Sequence, residues 1–371
     1  MDPTPPPPTV ATPQRFPCRQ CGAKLVFAPG TNSLHCDYCG CENAIARPAG
    51  PIEELDYTAQ LAELASTSDA VDTPIVTCTA CAAQTTPPPN TTALRCPFCG
   101  SEIVTQGASK AILKPRSLLP FQITRQQAAT LFRDWIGGLW FAPSELKRYA
   151  DGDTRIDGLY MPAWTYDCAT TSQYTGSRGE YYWTTETYTT VENGKTVTRT
   201  RRVRHIRWWP ASGVVRHDFD DLLVLASKSL PTELAQRLEP WDLAALVAYT
   251  DDYLSGFYAE RYQVELPDGF AQAQEMMVEP IRADICADIG GDEQRIDSVN
   301  TSYHDITFKH ILLPVWISAY RYRDRTFRYL VNARTGEVQG ERPWSALKIT
   351  LFVLACITAA AGIAFAFAQG R

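Results

Sequence analysis

Several signals are missing from this chain of 371 residues, and each absence removes a class of function. The N-terminus, Met1 through Pro13, has neither a charged n-region nor an apolar h-region, so it does not read as a secretory leader. An excess of basic charge is missing too: the formal net charge is −6. Proteins that live on nucleic acid usually show the opposite sign, because phosphate neutralisation supplies most of their affinity. A Walker A loop is absent, since Gly194-Lys195-Thr196 imitates its tail but position 189 is threonine where glycine is required. No G-x-S-x-G, no H-E-x-x-H and no Cys/His nucleophile setting occurs. These gaps point to a protein without catalysis.

Cysteine, by contrast, is abundant, with 12 in the chain. Eight fall into four C-x-x-C pairs: Cys18/Cys21 with Cys36/Cys39, and Cys78/Cys81 with Cys96/Cys99. The second set repeats the first 60 positions later, and Leu34/Leu94, Pro29/Pro89, Thr31/Thr91 and Gly40/Gly100 repeat in step. Two thiolates at i and i+3 on a tight knuckle both reach one Zn²⁺ at about 2.3 Å, and glycine after the second cysteine permits the positive φ of that knuckle. Ala82 departs from this pattern. Four thiolates close a tetrahedron, which marks a structural site in a reducing compartment rather than a disulfide framework. The sequence therefore predicts two structural Zn²⁺ ions, with Cys41 a spare thiol and His35 a surface residue.

The expected organisation is a disordered proline-rich tail (1–14), a first zinc ribbon (15–48), an acidic linker with one short helix (49–74), a second ribbon (75–106) and a body (112–343). The expected fold class is α+β, with an antiparallel sheet in the body. In that body Thr124 and Gln127 announce a capping box, and Gly137-Gly138 stops the helix. Further helices are expected at 231–238, 241–247 and 270–288, the last kinked or divided at Pro280. Asn193-Gly194 is a strong two-residue hairpin signal between Glu180–Glu192 and Lys195–Arg207. It sets Glu192 opposite Lys195, Glu186 opposite Arg201, Glu180 opposite Arg207, Tyr188 opposite Arg199 and Tyr182 opposite His205. Arg199, Arg201, Arg202, Arg204 and Arg207 then read either as a self-paired strand or as a docking site for phosphate, a lipid headgroup or an acidic partner.

From Ile349 to Ala368 run 20 residues without a charge. At 1.5 Å per residue they span roughly 30 Å, so a transmembrane helix is expected over 347–368, a helix of the core being the alternative. Arg328, Arg334, Arg342 and Lys348 precede it, which would place the N-terminal part in the cytoplasm of a single-pass protein of the cell membrane.

The stretches Asp288-Ile-Gly-Gly-Asp-Glu-Gln-Arg-Ile296, Thr307-Phe-Lys-His-Ile-Leu-Leu-Pro-Val-Trp316 and Gly336-Glu-Val-Gln-Gly-Glu-Arg-Pro-Trp344, with shorter ones at 140–143, 179–183 and 239–243, resemble bacterial TFIIB-type zinc-ribbon membrane proteins. These are often labelled primosomal protein N′ or superfamily II helicase-like. The resemblance implies a membrane-anchored, non-enzymatic adaptor in envelope stress or membrane organisation, with PspA-like or SPFH-like protein partners. The alternative is a membrane-tethered DNA- or RNA-binding protein that uses the ribbons and the Arg199–Arg207 strand.

Overall fold

The computed structural model describes residues 17–46, 52–66, 75–78, 84–86, 94–96, 98, 102–103, 106–107, 113–143, 145, 156–192, 195–322 and 325–369. The proline-rich tail, the Asn193-Gly194 turn and the positions of Cys81, Ala82 and Cys99 lie outside them.

The first cysteine module is a three-stranded antiparallel sheet of β1 (Val26–Phe27), β2 (Ser33–His35) and β3 (Glu42–Ala44). The linker holds β4 (Leu55–Asp56) and α1 (Tyr57–Ser66), whose first turn is capped where the Ala59 amide donates to Asp56 Oδ1 at 2.6 Å. The second module supplies β5 (Ile75–Thr77), β6 (Gln84–Thr86), β7 (Leu94–Arg95), β8 (Glu102–Ile103) and β9 (Gln106–Gly107). In the body follow β10 (Ser117–Leu118) and α2 (Arg125–Gly138), with the capping box of Thr124 and Gln127 formed. Then come β11 (Asp157–Glu192), β12 (Lys195–Leu225), α3 (Thr232–Gln236), β13 (Val247–Ala248), β14 (Tyr258–Glu260), α4 (Leu266–Ile289), β15 (Glu293–Tyr322), β16 (Arg325–Asn332), β17 (Val338–Gly340) and α5 (Ala346–Gln369).

The expected fold class needs correction. The structure is mostly sheet, with 44% strand against 27% helix. Two pairings in the main sheet, β10 with β15 and β11 with β14, are parallel rather than antiparallel. The sheet is dominated by three long antiparallel strands in the order β12, β11, β15. At 3.2–3.4 Å per residue, β11 alone is roughly 120 Å long. The helix expected at 241–247 is only a 3₁₀ turn over Leu243–Ala245 followed by β13. Nor does Pro280 divide α4. Met277, Ile281 and Ile285 continue one buried stripe on both sides of the proline, and packing on the sheet outweighs the lost bond.

The largest correction concerns the C-terminus. Among the described residues no helix is long and apolar enough to cross a membrane. The expected transmembrane helix over 347–368 is therefore overturned, and with it the single-pass placement in the cell membrane. A helix does form there as α5, but its start belongs to the body. Lys348 Nζ donates to the Ala142 carbonyl at 2.7 Å, the Ser345 amide donates to the Phe141 carbonyl at 2.8 Å, and Phe352 meets Phe141 edge-on at 5.3 Å.

Three cores hold the molecule together. On one face of the sheet Tyr160, Leu312 and Trp316 pack with Phe121, α2 and the first module. On the other, Leu159, Met161, Ile311, Leu313 and Val315 pack with Leu119, α3 and the second module. Alternation along β11 and β15 sends neighbouring residues to opposite sides, so the run Ile311-Leu-Leu-Pro-Val-Trp-Ile317 is buried on both faces. Farther along, α4 lays Phe270, Ala273, Met277, Ile281, Ile285 and Ile289 against Trp164, Tyr166 and Phe219. Its first residues are pinned by Trp164 Nε1 donating to Val264 O and Tyr166 OH donating to Leu266 O, both at 2.9 Å.

Candidate metal centre

In the first module each cysteine pair closes a knuckle through its own backbone. The Gly22 amide donates to the Cys18 carbonyl and the Gly40 amide to the Cys36 carbonyl, both at 2.8 Å. Both glycines have positive φ, +74° and +71°, and a Cβ at either would meet nothing within 4 Å. Conformation rather than space is what demands glycine there.

These knuckles face one another. The thiol sulfurs of Cys18, Cys21, Cys36 and Cys39 all lie within 4.8 Å of each other, with 3.5 Å between Cys18 and Cys39 and between Cys21 and Cys36. A tetrahedral ion with sulfur at about 2.3 Å sets its ligands roughly 3.8 Å apart, so the group is compatible with one metal ion. Cys18 and Cys36 are buried, Cys39 is half-buried and Cys21 is exposed, which puts the centre at the module's rim. Amides of Cys21 and Gln20 directed at Cys18 hold its thiol down to about 6, and the Cys39 amide lowers that of Cys36. These two shifts favour thiolate, the form that binds metal, whereas burial and hydrogen bonds from the neighbouring thiols push Cys21 and Cys39 up. Cys41 is not one of the four.

The second module keeps the duplicated frame. Leu34 pairs with Asn43 in the first copy, and Leu94 pairs with Ile103 in the second, the same register 60 positions on. Cys78 and Cys96 are buried, as Cys18 and Cys36 are. Cys81 and Cys99 lie outside the described residues. The residue before the last cysteine differs: Tyr38 is 84% exposed, while Phe98 is fully buried in the core under β11 and β15.

Each module is fastened to the body by strand-like contacts. In the first, the Phe27 amide donates to the Ser255 carbonyl, Ser255 Oγ donates to the Leu25 carbonyl, and the Gly30 amide donates to the Phe121 carbonyl. Phe27 sits edge-on to Tyr253 at 5.2 Å. In the second, β6 extends the main sheet by pairing Thr86 with Ala259 and Thr85 with Glu260 of β14.

The candidate arginines are held elsewhere, on the arm formed by β11 and β12. Its register is the one expected from the Asn-Gly turn, from Glu192 with Lys195 to Glu180 with Arg207. Arg201 binds Glu186 Oε2 at 3.1 Å. Four guanidiniums lie over rings of β11: Arg201 over Tyr188, Arg207 over Tyr182, Arg202 over Trp183 and Arg204 over Tyr181, at 4.2 to 5.8 Å.

Three buried polar groups had no sequence signal, because their partners are far apart in the chain. Lys309 lies 2.8 Å from Glu54 Oε1, 2.8 Å from Asp221 Oδ1 and 3.7 Å from Asp167 Oδ2. Burial opposes its charge, but bonds to Asp221 and Glu54 more than offset that and leave its pKa raised. Glu260, on the seam with the second module, accepts from Ser227 Oγ at 2.8 Å, and burial pushes its carboxyl up to about 7. His310 bonds the Leu113 carbonyl through Nδ1 at 2.9 Å between the rings of Trp164 and Tyr262, and burial lowers it to about 4.

No family model matches this chain, and no solved structure matches it. Among curated proteins it is similar to the "Uncharacterized protein YdjG" of Bacillus subtilis (strain 168), 28% identical over 242 residues. That alignment covers 64% of this chain and 66% of the relative, so the chain spans just under two thirds of that relative's length.

Proposed function

We propose that this protein is a non-catalytic zinc-ribbon scaffold that binds protein partners. Two structural Zn²⁺ ions, one per cysteine module, would each tie together the two knuckles of a module. One observation carries this reading: the four thiols of Cys18, Cys21, Cys36 and Cys39 converge and would fill a tetrahedral shell, with no position left for water or substrate. In the second module Cys78, Cys81, Cys96 and Cys99 would do the same. Bound zinc would supply folding energy to segments too small to hold a core of their own. The resemblance to TFIIB-type zinc-ribbon proteins makes PspA-like and SPFH-like proteins the first partners to test.

Elemental analysis of the purified chain should find two zinc ions per polypeptide, and about one in Cys36→Ser. Fewer than two in the unaltered chain would refute the two-site reading. Immobilised full-length protein should retain PspA-like or SPFH-like proteins at physiological salt, and no retention with zinc bound would remove those partners. A second reading, nucleic-acid binding, has one observation in its favour: residues 180–207 carry a formal charge of +3 on a chain of −6. It requires retention on DNA or RNA that weakens steeply with salt.

A further inference from the structure

The arm is a two-stranded ribbon, and β12 pairs with β11 alone among the described residues, so both edges of the ribbon are open. β15 accompanies β11 only as far as the pair Gly179 and Glu293. Beyond it β11 runs on to Glu192 with β12 on one side and, among the described residues, no strand on the other. The overhang is about 40 Å long. At its root Asp292 Oδ2 accepts the Tyr181 amide at 2.7 Å, which identifies the side to which odd-numbered amides point. Alternation then places the amides of Trp183, Thr185, Thr187, Thr189 and Val191 on the same open edge. A long unpaired edge of this kind is a template for another strand.

Charge selects what that strand should carry. The odd positions of β11 share a face with Thr200, Arg202, Arg204 and Ile206 of β12. On this face the one carboxylate near the root is Glu293, which pairs with Gly179 and accepts from Tyr181 OH at 2.7 Å; from Trp183 outward no acidic residue holds a register position on it, whereas Glu180 and Glu186 fall on the other. Arg202 lies over Trp183 at 5.3 Å and Arg204 over Tyr181 at 4.2 Å. Each ring is diagonal to the residue that its arginine directly faces, so both guanidiniums lean over β11 and away from the outer edge of β12.

We propose that this edge of β11, residues 181–191, binds an extended acidic segment of a partner protein by strand addition, with Arg202 and Arg204 meeting its carboxylates. The inference rests on the scaffold reading above and names its docking surface. A second copy of this chain is disfavoured as occupant, because edge-to-edge pairing would bring these arginines near their own copies. A single-stranded nucleic acid needs open ring faces for its bases, and here the rings of Tyr181 and Trp183 already carry guanidiniums.

The test uses the full-length chain and fluorescein-labelled probes read by anisotropy: a short peptide of alternating threonine and glutamate, the same peptide N-methylated at alternate residues, and an oligothymidylate of similar length. The plain peptide should bind. Backbone methylation, and separately the double change Arg202→Glu with Arg204→Glu, should each weaken it about tenfold or more. Arg216→Glu, an exposed β12 site opposite Thr171 of β11 and outside the overhang, should leave binding unchanged. Circular dichroism and zinc content report whether the variants remain folded, and Thr187→Pro, which removes one open-edge amide, gives an independent arm variant. Failure of the plain peptide to bind overturns the proposal. So does equal binding of the methylated peptide, which would show charge attraction alone, or tighter binding of the oligothymidylate through the same arginines. Retention of a protein partner by the Arg202→Glu/Arg204→Glu chain would leave the scaffold reading standing and refute only this docking surface.

Discussion

The two cysteine modules share one residue pattern 60 positions apart and one strand register, yet the body handles their last knuckles in opposite ways. In the first, Tyr38 stands in solvent beside an exposed Cys21, and the module is held by its hairpin, through Phe27 and Leu25. In the second, Phe98 is buried under the sheet and β6 extends that sheet. Duplication therefore supplied two similar cysteine-bearing frames, and packing made one a surface feature and the other part of the core. A partner reaching for a module would meet Tyr38, not Phe98.

The contrast can be broken most sharply at that pair. Phe98→Ala should cost about 3–5 kcal/mol by emptying a core site, and Tyr38→Ala should stay within about 0.5 kcal/mol. Equal shifts of the two zinc-loaded variants in denaturant midpoint would show that the modules are equivalent after all.

Next in size is the seam beneath the second module. Glu260, raised to about 7, binds a proton in the folded state that the unfolded chain releases near its ordinary value. Its contribution is complete below that ordinary value and is lost as pH rises toward 7, about 3 kcal/mol in all. His310, lowered to about 4, does the reverse, and stability gained by keeping it neutral is lost as pH falls through the same region. The two slopes nearly cancel in the unaltered chain. Glu260→Gln should uncover a rise of about 3 kcal/mol in stability from pH 4 to 6.5, measured by urea titration. A flat profile in that variant would contradict the burial of His310.

The smallest effect tests the first module's seam. Gly256 has φ of +93°, and a Cβ there would come 2.4 Å from Val26 Cγ1. Gly256→Ala should cost about 2 kcal/mol and loosen the first module, seen as faster zinc release to a chelator with the second module's release unaltered. Equal acceleration at both modules would mean that they unfold as one unit.

Local chemistry made much of this legible in advance. The knuckle glycines, the Thr124–Gln127 capping box and the hairpin register around Asn193-Gly194 depend on residues within a few positions of each other, and the structure follows them. The C-terminal segment misled because an uncharged run reports length and apolarity but not contacts. Lys348 and Phe352 spend the start of that helix on Ala142 and Phe141, more than 200 positions away. Pro280 leaves α4 undivided for a related reason, since the stripe that α4 buries continues on both sides of it.

By itself, then, the sequence determined where four thiols can meet and how two strands align across a turn, because each needs only bonds between near neighbours. Tertiary structure alone decided which module shows its knuckle to solvent, that Lys309 gathers Glu54, Asp167 and Asp221, and where β15 stops short of β11. Those outcomes depend on contacts between residues some 90 to 250 positions apart. Burial and electrostatics settle such contacts only once the whole sheet has formed.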